Sequence, residues 1–547
     1  MTAVRGRSPA AAAGRGRSPA AAAGRGRSPA AAAGRGATAT TGRHRRYGAL
    51  IQAPPSNDEK YLYLSRSLPY LAVSITTAFL AGFTSQILFE INSGFWVFAI
   101  FTCASAIAFS MSLPLAFLGK GFSIEHHHQL VRSWRPWQYP SVDIFLPVCG
   151  EPIDVLRNTW TAVGALVQGY PGQAFPYVLD DRADPDAREL ASRLGLGYVV
   201  RPNRGEHMKS GNLRYAFAIT RSEFFAVLDA DFAPRADFLT ETIPYFEDPD
   251  IAIVQTPQFF RTDRRQTWVE SAAGAIQELF YRAIQVGRDR LGASICVGTC
   301  AVYRRQALEP QGGTTLIPYA EDVHTGLDVR RAGWKVVYVP IVLATGMCPA
   351  GLNAFFRQQY RWCTGSTSTL LTSRLWSVPM SIPARLTYVS GFSYYLFTGM
   401  SVFVIPLIPI SLLLFRPYSI TPWNSGLIIV SMLTSMTVLP LWHRSSYDLR
   451  ETLPLTLVRA WAHALAIWDY LRGKTMSWQA TGAGVTSVRR FWWGIRLWNL
   501  TAVTVWLALI GWRMSVIAPS RLTIVTISGL LNAAIVLRVL FPGRNAT

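Results

Sequence analysis

Charged residues, and acidic ones above all, are scarce in this sequence of 547 residues. Only 16% of the residues are charged, 50% are hydrophobic, and the mean hydropathy is +0.20. A water-soluble protein would carry more charge, so the composition predicts several membrane-spanning segments. The 32 acidic residues are outnumbered by 53 basic ones, which leaves a formal net charge of +21. Such a balance suits binding either to nucleic acid or to an anionic membrane surface.

Cysteine pairs are missing as well. The six cysteines are scattered along the chain, and no two of them form a Cys-x-x-Cys pair. Neither a zinc site nor a disulfide framework is therefore predicted. The run His126–His128 is predicted to lie in a solvated loop beside the membrane rather than to bind a metal.

Acids are absent altogether from the N-terminal arm. No Asp or Glu occurs between Arg5 and Arg46, and residues 5–34 repeat the decapeptide Arg-Gly-Arg-Ser-Pro-Ala-Ala-Ala-Ala-Gly three times. This composition cannot build an apolar core, so residues 1–57 are predicted to be a disordered basic tail. Next to a membrane span, such a tail is better interpreted as a cytosolic anchor near anionic lipid than as a nucleic-acid-binding segment.

Six long apolar runs are nearly uncharged, and we interpret them as membrane-spanning helices. They are Leu68–Phe89, Phe95–Leu118, Leu386–Phe415, Gly426–Trp442, Phe491–Trp512 and Leu522–Phe541. Two belong to a first membrane domain at residues 58–120 and four to a second at 386–541, which a tail at 542–547 follows. The distribution of Lys and Arg places residues 121–350, the basic loop between the fourth and fifth runs and both termini in the cytosol. The prediction is a multi-pass protein of the plasma membrane.

Residues 121–350 show a different pattern, in which short apolar runs alternate with helical spacing. The runs Val142–Val148, Pro176–Leu179, Phe224–Leu228 and Ile251–Gln255 are predicted strands with helices between them. This alternation predicts an α/β domain built on a mostly parallel sheet. Ligands of such sheets bind beyond the carboxyl ends of the strands, where acidic residues of this region fall.

Acid pairs follow two of these strands. Asp229 and Asp231 come after one strand, and hard oxygen ligands of this kind suit Mg²⁺ or Mn²⁺ bridging a diphosphate. Asp180 and Asp181 come after another strand and would hold the ribose or base of a nucleotide. Lys209, at the start of a predicted helix, is placed to bind a phosphate group.

A second group of polar residues precedes the C-terminal membrane domain. Glu321 and Asp322 stand before a predicted helix, where Asp322 would act as general base towards a sugar hydroxyl. Residues 351–385 are predicted to form interfacial helices that carry a Gln-x-x-Arg-Trp pattern, which ends at Arg361 and Trp362. Arg361 would neutralise a diphosphate leaving group, and Trp362 would stack on a sugar ring.

Taken in order, these motifs resemble those of the processive family-2 glycosyltransferases, that is, the cellulose synthase catalytic subunits and their cellulose-synthase-like relatives. The shared motifs are Asp180-Asp181, Lys209–Asn212, Asp229–Asp231, Gln255–Gln258, Glu321-Asp322 and Gln358–Trp362. The resemblance implies a GT-A (Rossmann-like) domain inserted between transmembrane helices. It also implies a UDP-sugar donor, Mg²⁺ or Mn²⁺ as cofactor, and a β-glycan that passes through a channel formed by the spans.

The resemblance assigns further substrate-binding positions. They are Glu151, Gln255, Gly298, Glu321, Gln358, Trp478 and Thr481. The last two belong to a cytosolic gating loop near residues 473–490, from which the family's lysine is missing. Ala320 stands where the family has Thr, and Cys149 stands in the nucleotide loop where the family has an aromatic Tyr. These departures bear on the identity of the product more than on the reaction class. The family's C-terminal cyclic-di-GMP-binding domain is not expected in this chain.

The expected function is that of an inverting, processive, UDP-forming hexosyltransferase. UDP-glucose is the favoured donor, and a β-glucan such as cellulose, translocated across the membrane, is the favoured product. The expected partners are the donor, the growing glycan, membrane lipid and accessory synthase or export subunits, with no nucleic acid. Two alternatives stay open: a synthase of another polysaccharide or a glycolipid from UDP-GlcNAc or GDP-mannose, and an inactive membrane sensor that binds nucleotide-sugar.

Overall fold

The computed structural model describes residues 50–64, 68–110, 121–317, 319–437, 448–474 and 489–542. Most of the predicted basic tail and most of the predicted gating loop lie outside these ranges, so the predictions made for them stay predictions. Within the described ranges the chain forms an α/β domain with long helices before and after it.

Strands in the described residues form one large and one small sheet. They are β1 Val142–Val148, β2 Ala174–Asp180, β3 Gly197–Val199, β4 Phe224–Val227, β5 Ala233–Pro234, β6 Ile251–Gln255, β7 Ala301–Arg304, β8 Lys335–Tyr338 and β9 Ala344–Thr345. The large sheet has the order β3-β2-β1-β4-β7-β6-β8, and β5 pairs with β9 in the small one. Only β7 runs antiparallel to its neighbours in the large sheet, so the sheet is mixed, with most pairs parallel as predicted.

Helices of the α/β region cover the sheet and connect its strands. They are α1 Asn57–Lys60, α4 Ile124–Ser133, α5 Ile153–Gly169, α6 Pro185–Arg193, α7 Met208–Ile219, α8 Phe238–Thr242, α9 Trp268–Leu279, α10 Gln285–Arg290, α11 Arg305–Leu308, α12 Glu321–Arg331, α13 Leu352–Leu371 and α14 Ser373–Ser377. The helices of the predicted membrane domains are α2 Leu68–Asn92, α3 Trp96–Ser110, α15 Ile382–Phe415, α16 Pro422–Thr437, α17 Leu449–Leu471, α18 Arg489–Arg513 and α19 Pro519–Leu540.

Apolar side chains cover both faces of the large sheet. Strand β1 is buried along its whole length, and its residues alternate between two clusters as a pleated strand requires. Ile144 and Leu146 pack with Trp160 of α5 on one face, and Phe145 packs with Phe225 on the other. This two-sided burial explains why the strand is apolar except for Asp143, which pairs with Arg305 at 2.8 Å, and it leaves the carboxyl edge of the sheet as the accessible place for ligands.

Three helices of the described residues are long and apolar enough to cross a membrane. They are Ile382–Phe415, Trp492–Arg513 and Pro519–Leu540, and Trp96–Ala108 is a shorter apolar helix. A helix also occupies each of the other predicted spans as far as the structure describes them, but the number of spans stays a prediction.

The basic segment between the fourth and fifth apolar runs was predicted to be a loop, and for α17, Leu449–Leu471, this prediction is wrong. Within this helix only Arg450, Arg459 and His463 are basic, whereas its apolar residues recur at helical spacing, and Leu455, Val458 and Ala462 are buried. The buried side of α17 lies against α13 and α15. The helix therefore packs directly against the Gln-x-x-Arg-Trp helix α13.

Two predictions for the segments flanking the first membrane domain are also wrong. Residues 50–57, predicted to be disordered, pack on the α/β domain, and the Leu50 amide donates to Glu270 Oε1 at 2.7 Å. His127, predicted to be solvated, is fully buried on α4. Its Nε2 lies 2.7 Å from Glu241 Oε2. The histidine run therefore belongs to a helix in which His127 makes a buried hydrogen bond, and it is not a solvated loop.

Candidate active site

Two aspartates lie directly beyond the carboxyl end of β4. Asp229 and Asp231 occupy the turn after the strand. The Asp229 amide donates to Thr299 Oγ1 at 2.8 Å. Lys209 Nζ lies 2.5 Å from Asp229 Oδ1 and donates to the Gly298 carbonyl at 2.9 Å. The turn, the start of α7 and the loop before β7 thus meet around one ion pair.

The acids at this edge outnumber the nearby cations. Burial, with the charges of Asp229 and Glu151, raises the pKa of Asp231 to about 7. Burial likewise raises the pKa of Glu151 to about 7, although its Oε2 accepts a hydrogen bond from the Cys149 amide at 2.7 Å. Since carboxylates crowded in a low-dielectric site favour a proton or a cation, this edge suits a positively charged ligand.

The described residues contain no group of three or more His, Cys, Asp or Glu side chains arranged to hold a metal ion. Asp229 and Asp231 are therefore candidate ligands for an ion whose remaining positions are filled by phosphate and water, as Mg²⁺ commonly accepts. The excess of buried carboxylate fits such an ion.

Asp180 and Asp181, the predicted nucleotide acids, already have protein partners. Asp180 is buried and accepts from the amides of Arg182 at 2.7 Å and Asp184 at 2.8 Å. It also accepts from a tyrosine hydroxyl, that of Tyr198, at 2.6 Å. Asp181 forms a bidentate pair with the buried Arg201, with N···O distances of 2.5 and 2.7 Å. These contacts shape the loop after β2, and direct contact of either acid with a nucleotide stays a prediction.

The proposed base lies at the first turn of α12. The helix begins at Glu321, and Asp322 Oδ1 accepts from the Val323 amide at 2.8 Å. Burial, together with the negative charge of Glu321, raises the pKa of Asp322 to about 7. Burial also raises the pKa of Glu321, against the opposing charges of Lys209 and Arg361. Such a carboxyl group is matched to proton transfer near neutral pH.

Gly298 provides the space next to this carboxyl group. Its φ is +75°, and a Cβ added there would lie 2.8 Å from the Cβ of Asp322 and 3.0 Å from its Oδ2. Any side chain would therefore enter the volume in front of the base as well as strain the backbone. The loop before β7 needs glycine at this position.

Gln255 supports the same loop from below. It is fully buried, and its Nε2 donates to the Thr299 carbonyl at 2.8 Å while its Oε1 accepts from the Val297 amide at 2.9 Å. All of these partners are backbone groups on either side of Gly298. The contacts place Gln255 behind the site, and the predicted contact with substrate has no support in this geometry.

Helix α13 carries the Gln-x-x-Arg-Trp residues next to the base. Gln358, Arg361 and Trp362 are half-buried on it. Burial and the charge of Arg357 lower the pKa of Arg361, whereas Glu321 opposes that change. The charges of Arg361 and Glu321 therefore interact within the site. Trp478 and Thr481 lie outside the described residues.

The structure adds supporting residues that the sequence did not single out. Tyr198 and Arg201 hold Asp180 and Asp181, and Thr299 holds the Asp229 backbone. None of these three residues belongs to the motifs named above, so only the folded chain shows their supporting contacts.

Residues 164–365 match the family described as "Glycosyltransferase like family 2". Cellulose synthase 1 of Komagataeibacter xylinus is 34% identical over 278 residues, which are 50% of this chain and 18% of that protein. The UDP-forming cellulose synthase catalytic subunit of Pseudomonas fluorescens (strain SBW25) is 32% identical over 286 residues, 51% of this chain and 38% of that protein. The chain thus spans well under half the length of these curated relatives.

Among solved structures, a mannosyltransferase from Pyrobaculum calidifontis in complex with GDP-Man and Mn²⁺ shares 15% identity. It covers 67% of this chain and 99% of its own, with a TM-score of 0.46, which is too low to argue from. Together with the mixed sheet, the family match confirms the predicted GT-A-like fold.

Proposed function

We propose that this chain, whose residues 164–365 match a glycosyltransferase family 2 model, is a membrane-embedded synthase that polymerises a UDP-sugar into a β-glucan. The observation that carries the proposal is the meeting of Asp322, the Asp229–Lys209 ion pair and Arg361 at the carboxyl edge of one sheet. The names of the relatives, which include "UDP-forming", support UDP-glucose as donor and cellulose or a similar glucan as product.

Asp322 is proposed as the general base. Its raised pKa means that it can both take a proton from the attacking sugar hydroxyl and exist as the carboxylate at neutral pH. Gly298 leaves room in front of it for that hydroxyl. Attack by a deprotonated acceptor on the face opposite the diphosphate gives inversion at the sugar carbon.

Cations at the site would receive the leaving diphosphate. Asp229 and Asp231 would hold Mg²⁺ or Mn²⁺, which when bound neutralises charge on the diphosphate. Lys209, paired with Asp229 at 2.5 Å, and Arg361, whose charge also acts on Glu321, would supply the fixed positive charge. Trp362 and Gln358 would contact the acceptor end, with Glu151, Asp180 and Asp181 on the nucleotide side.

Buried polar groups beyond α13 support a path for the glycan. His463 on α17 is fully buried, and within the described part of the chain neither ring nitrogen has a hydrogen-bond partner. Tyr395 lies edge-on to it with ring centroids 4.8 Å apart, and the Trp461 Nε1 nearby is likewise buried without a partner. Sugar hydroxyls would satisfy these nitrogens while sugar faces pack on the aromatic rings.

The membrane placement follows the apolar helices. We place six spans in the plasma membrane, with the catalytic domain, both termini and the gating loop with Trp478 and Thr481 in the cytosol. The domain limits are those proposed from the sequence, except that residues 50–57 pack on the α/β domain. Accessory synthase or export subunits would act on the non-cytosolic side, where the glycan emerges.

A donor scan tests the proposal. Membranes that contain the protein receive Mg²⁺ or Mn²⁺ and, in turn, UDP-glucose, UDP-GlcNAc and GDP-mannose, and nucleotide release and labelled polymer are measured. Asp322→Asn is the inactive comparison, and Asp186→Asn, an exposed acid on α6, is its matched control. We expect polymer from UDP-glucose that Asp322→Asn abolishes and Asp186→Asn preserves. Polymer from another donor, or UDP binding without turnover, would contradict the proposal in favour of one of the two alternatives.

A further inference from the structure

Helix α12, which carries the base, contacts the segment that carries Arg361 at three successive turns. Ala320, directly before the helix, lies against Gly365, and His324 Nε2 lies 3.2 Å from Thr369 Oγ1. One turn further, Asp328 Oδ2 lies 3.0 Å from a guanidinium nitrogen of Arg374 on α14. We call these three contacts the register ladder.

The spacing places the ladder on the face of α13 that carries Arg361. Arg361, Gly365 and Thr369 are four residues apart, so they lie above one another on the same side of the helix. On the opposite element Ala320 and His324 are also four apart. The first contact of the ladder therefore stands one turn from Arg361 and one residue before the two acids of α12.

The contact between Ala320 and Gly365 leaves no free space. Gly365 is buried, and a Cβ added to it would lie well inside van der Waals distance of the Ala320 methyl group. Ala320 itself has φ +54° and ψ 34°, a left-handed conformation that is costly for a residue with a side chain. The methyl group at 320 and the missing one at 365 thus fix how closely the two helices approach.

Hydrogen bonds continue the ladder. The Thr369 hydroxyl donates to the Gly365 carbonyl at 2.8 Å, so its oxygen accepts from the Nε2–H of His324. Burial lowers the pKa of His324 to about 4, which keeps the ring neutral at physiological pH. The His324 ring is buried, and its Nδ1 has no hydrogen-bond partner within the described residues.

We propose that Gly365 and Ala320, with the His324–Thr369 hydrogen bond, are positioning residues that set the separation between the Asp322 carboxylate and the Arg361 guanidinium. This inference rests on the proposed function. Reacting groups displaced by about 1 Å lose on the order of 100-fold in rate, whereas the residues proposed to hold the nucleotide lie outside the ladder. The ladder therefore acts on the transfer step and leaves the affinity for UDP nearly unchanged.

A complementary pair of substitutions tests the inference. Gly365→Ala pushes α12 away from α13, and we expect kcat to fall by about 10- to 100-fold, with UDP affinity within about threefold of wild type. Ala320→Gly removes the opposing methyl group and suits the left-handed backbone, so its kcat should fall less than that of Gly365→Ala. The double variant should recover kcat to within about threefold of wild type, because the added methyl group fills the space that the other vacates.

Controls separate this effect from poor folding. Gly164→Ala adds a methyl group on α5 where nothing lies within 4 Å, and it should leave kcat unchanged. If Gly365→Ala does not accumulate, Thr369→Val decides, since it keeps the side-chain shape, removes the hydrogen bond to His324 and should lower kcat without changing UDP affinity.

Each outcome has one meaning. A wild-type protein that transfers no sugar refutes the proposed function. An active wild type with normal kcat in Gly365→Ala, or a loss that Ala320→Gly does not relieve, overturns the ladder alone. Normal kcat in Thr369→Val overturns it in the same way.

Discussion

The pH dependence of sugar transfer tests the site most sharply. A carboxyl group with its pKa raised to about 7 becomes the basic carboxylate only as the pH rises, so the base is lost as the pH falls. With a pKa of about 7, about 9% of Asp322 is ionised at pH 6 and about 91% at pH 8. We therefore expect kcat at saturating donor and metal to rise about tenfold between these values, with a limiting slope of one.

The value of kcat/KM for the donor should fall more steeply on the acid side. It reports the free protein, in which Asp231 and Glu151 also have pKa values raised to about 7 and must lose their protons before a cation binds. Its limiting slope should therefore exceed one. The difference between the two slopes separates the base from the groups that bind the metal and donor.

Substitution of Lys209 perturbs the pKa of these carboxyl groups. The Lys209 charge lowers the pKa of both Asp322 and Asp231, so Lys209→Met should move the acid limb to higher pH, while Lys209→Arg should leave it close to wild type. The assay is initial-rate transfer in membranes across pH 5.5 to 9 in buffers of constant ionic strength. A kcat that is flat between pH 6 and 8, or a limb that Lys209→Met moves to lower pH, would refute the reasoning.

Further predictions concern single positions. Asp322→Asn should lower transfer by on the order of 10²- to 10⁴-fold, with UDP binding by calorimetry nearly intact, and normal turnover would remove Asp322 as the base. Gly298→Ala should lower kcat at least tenfold or so, since its methyl group meets the Asp322 side chain and φ is +75°; unchanged kcat would show that the base needs no such space. Asp231→Asn should raise the Mn²⁺ concentration needed for half-maximal transfer about tenfold or more, and an unchanged metal titration would exclude it as a ligand. Deleting residues 1–46 should leave activity in isolated membranes within about twofold of wild type, and complete loss would show that the tail is more than an anchor.

The local sequence pattern predicted the helices and strands that are long or mostly apolar. Strand β1 has the bounds read from the sequence, because Val142–Val148 is an apolar run closed by polar residues. Strand β7, Ala301–Arg304, was missed, since it is short and its antiparallel pairing with β4 and β6 depends on distant chain. Helix α17 was missed because the segment around it is basic, which favoured a loop, although the helix itself is mostly apolar and packs on α13 and α15.

For the site, the order of the motifs predicted the reaction class, but it did not predict the contacts that support the reacting residues. Asp229 follows its strand at the carboxyl edge of the sheet, as predicted, whereas only the folded chain shows that Lys209 and Asp322 lie beside it. Gln255 was expected to touch substrate, yet pairing of β6 with β7 brings it beneath the Gly298 loop. Partners 42 to 44 residues away in sequence create that role, and no local spacing records such contacts.

The most direct test of the central claim is the product made by the purified protein in proteoliposomes supplied with Mg²⁺ or Mn²⁺ and labelled UDP-glucose. The account predicts a high-molecular-weight labelled glucan, released as glucose oligomers by a β-glucanase of the matching linkage, and absent with Asp322→Asn. Label that is confined to lipid or to short oligomers, or its complete absence while UDP still binds, would contradict a processive synthase.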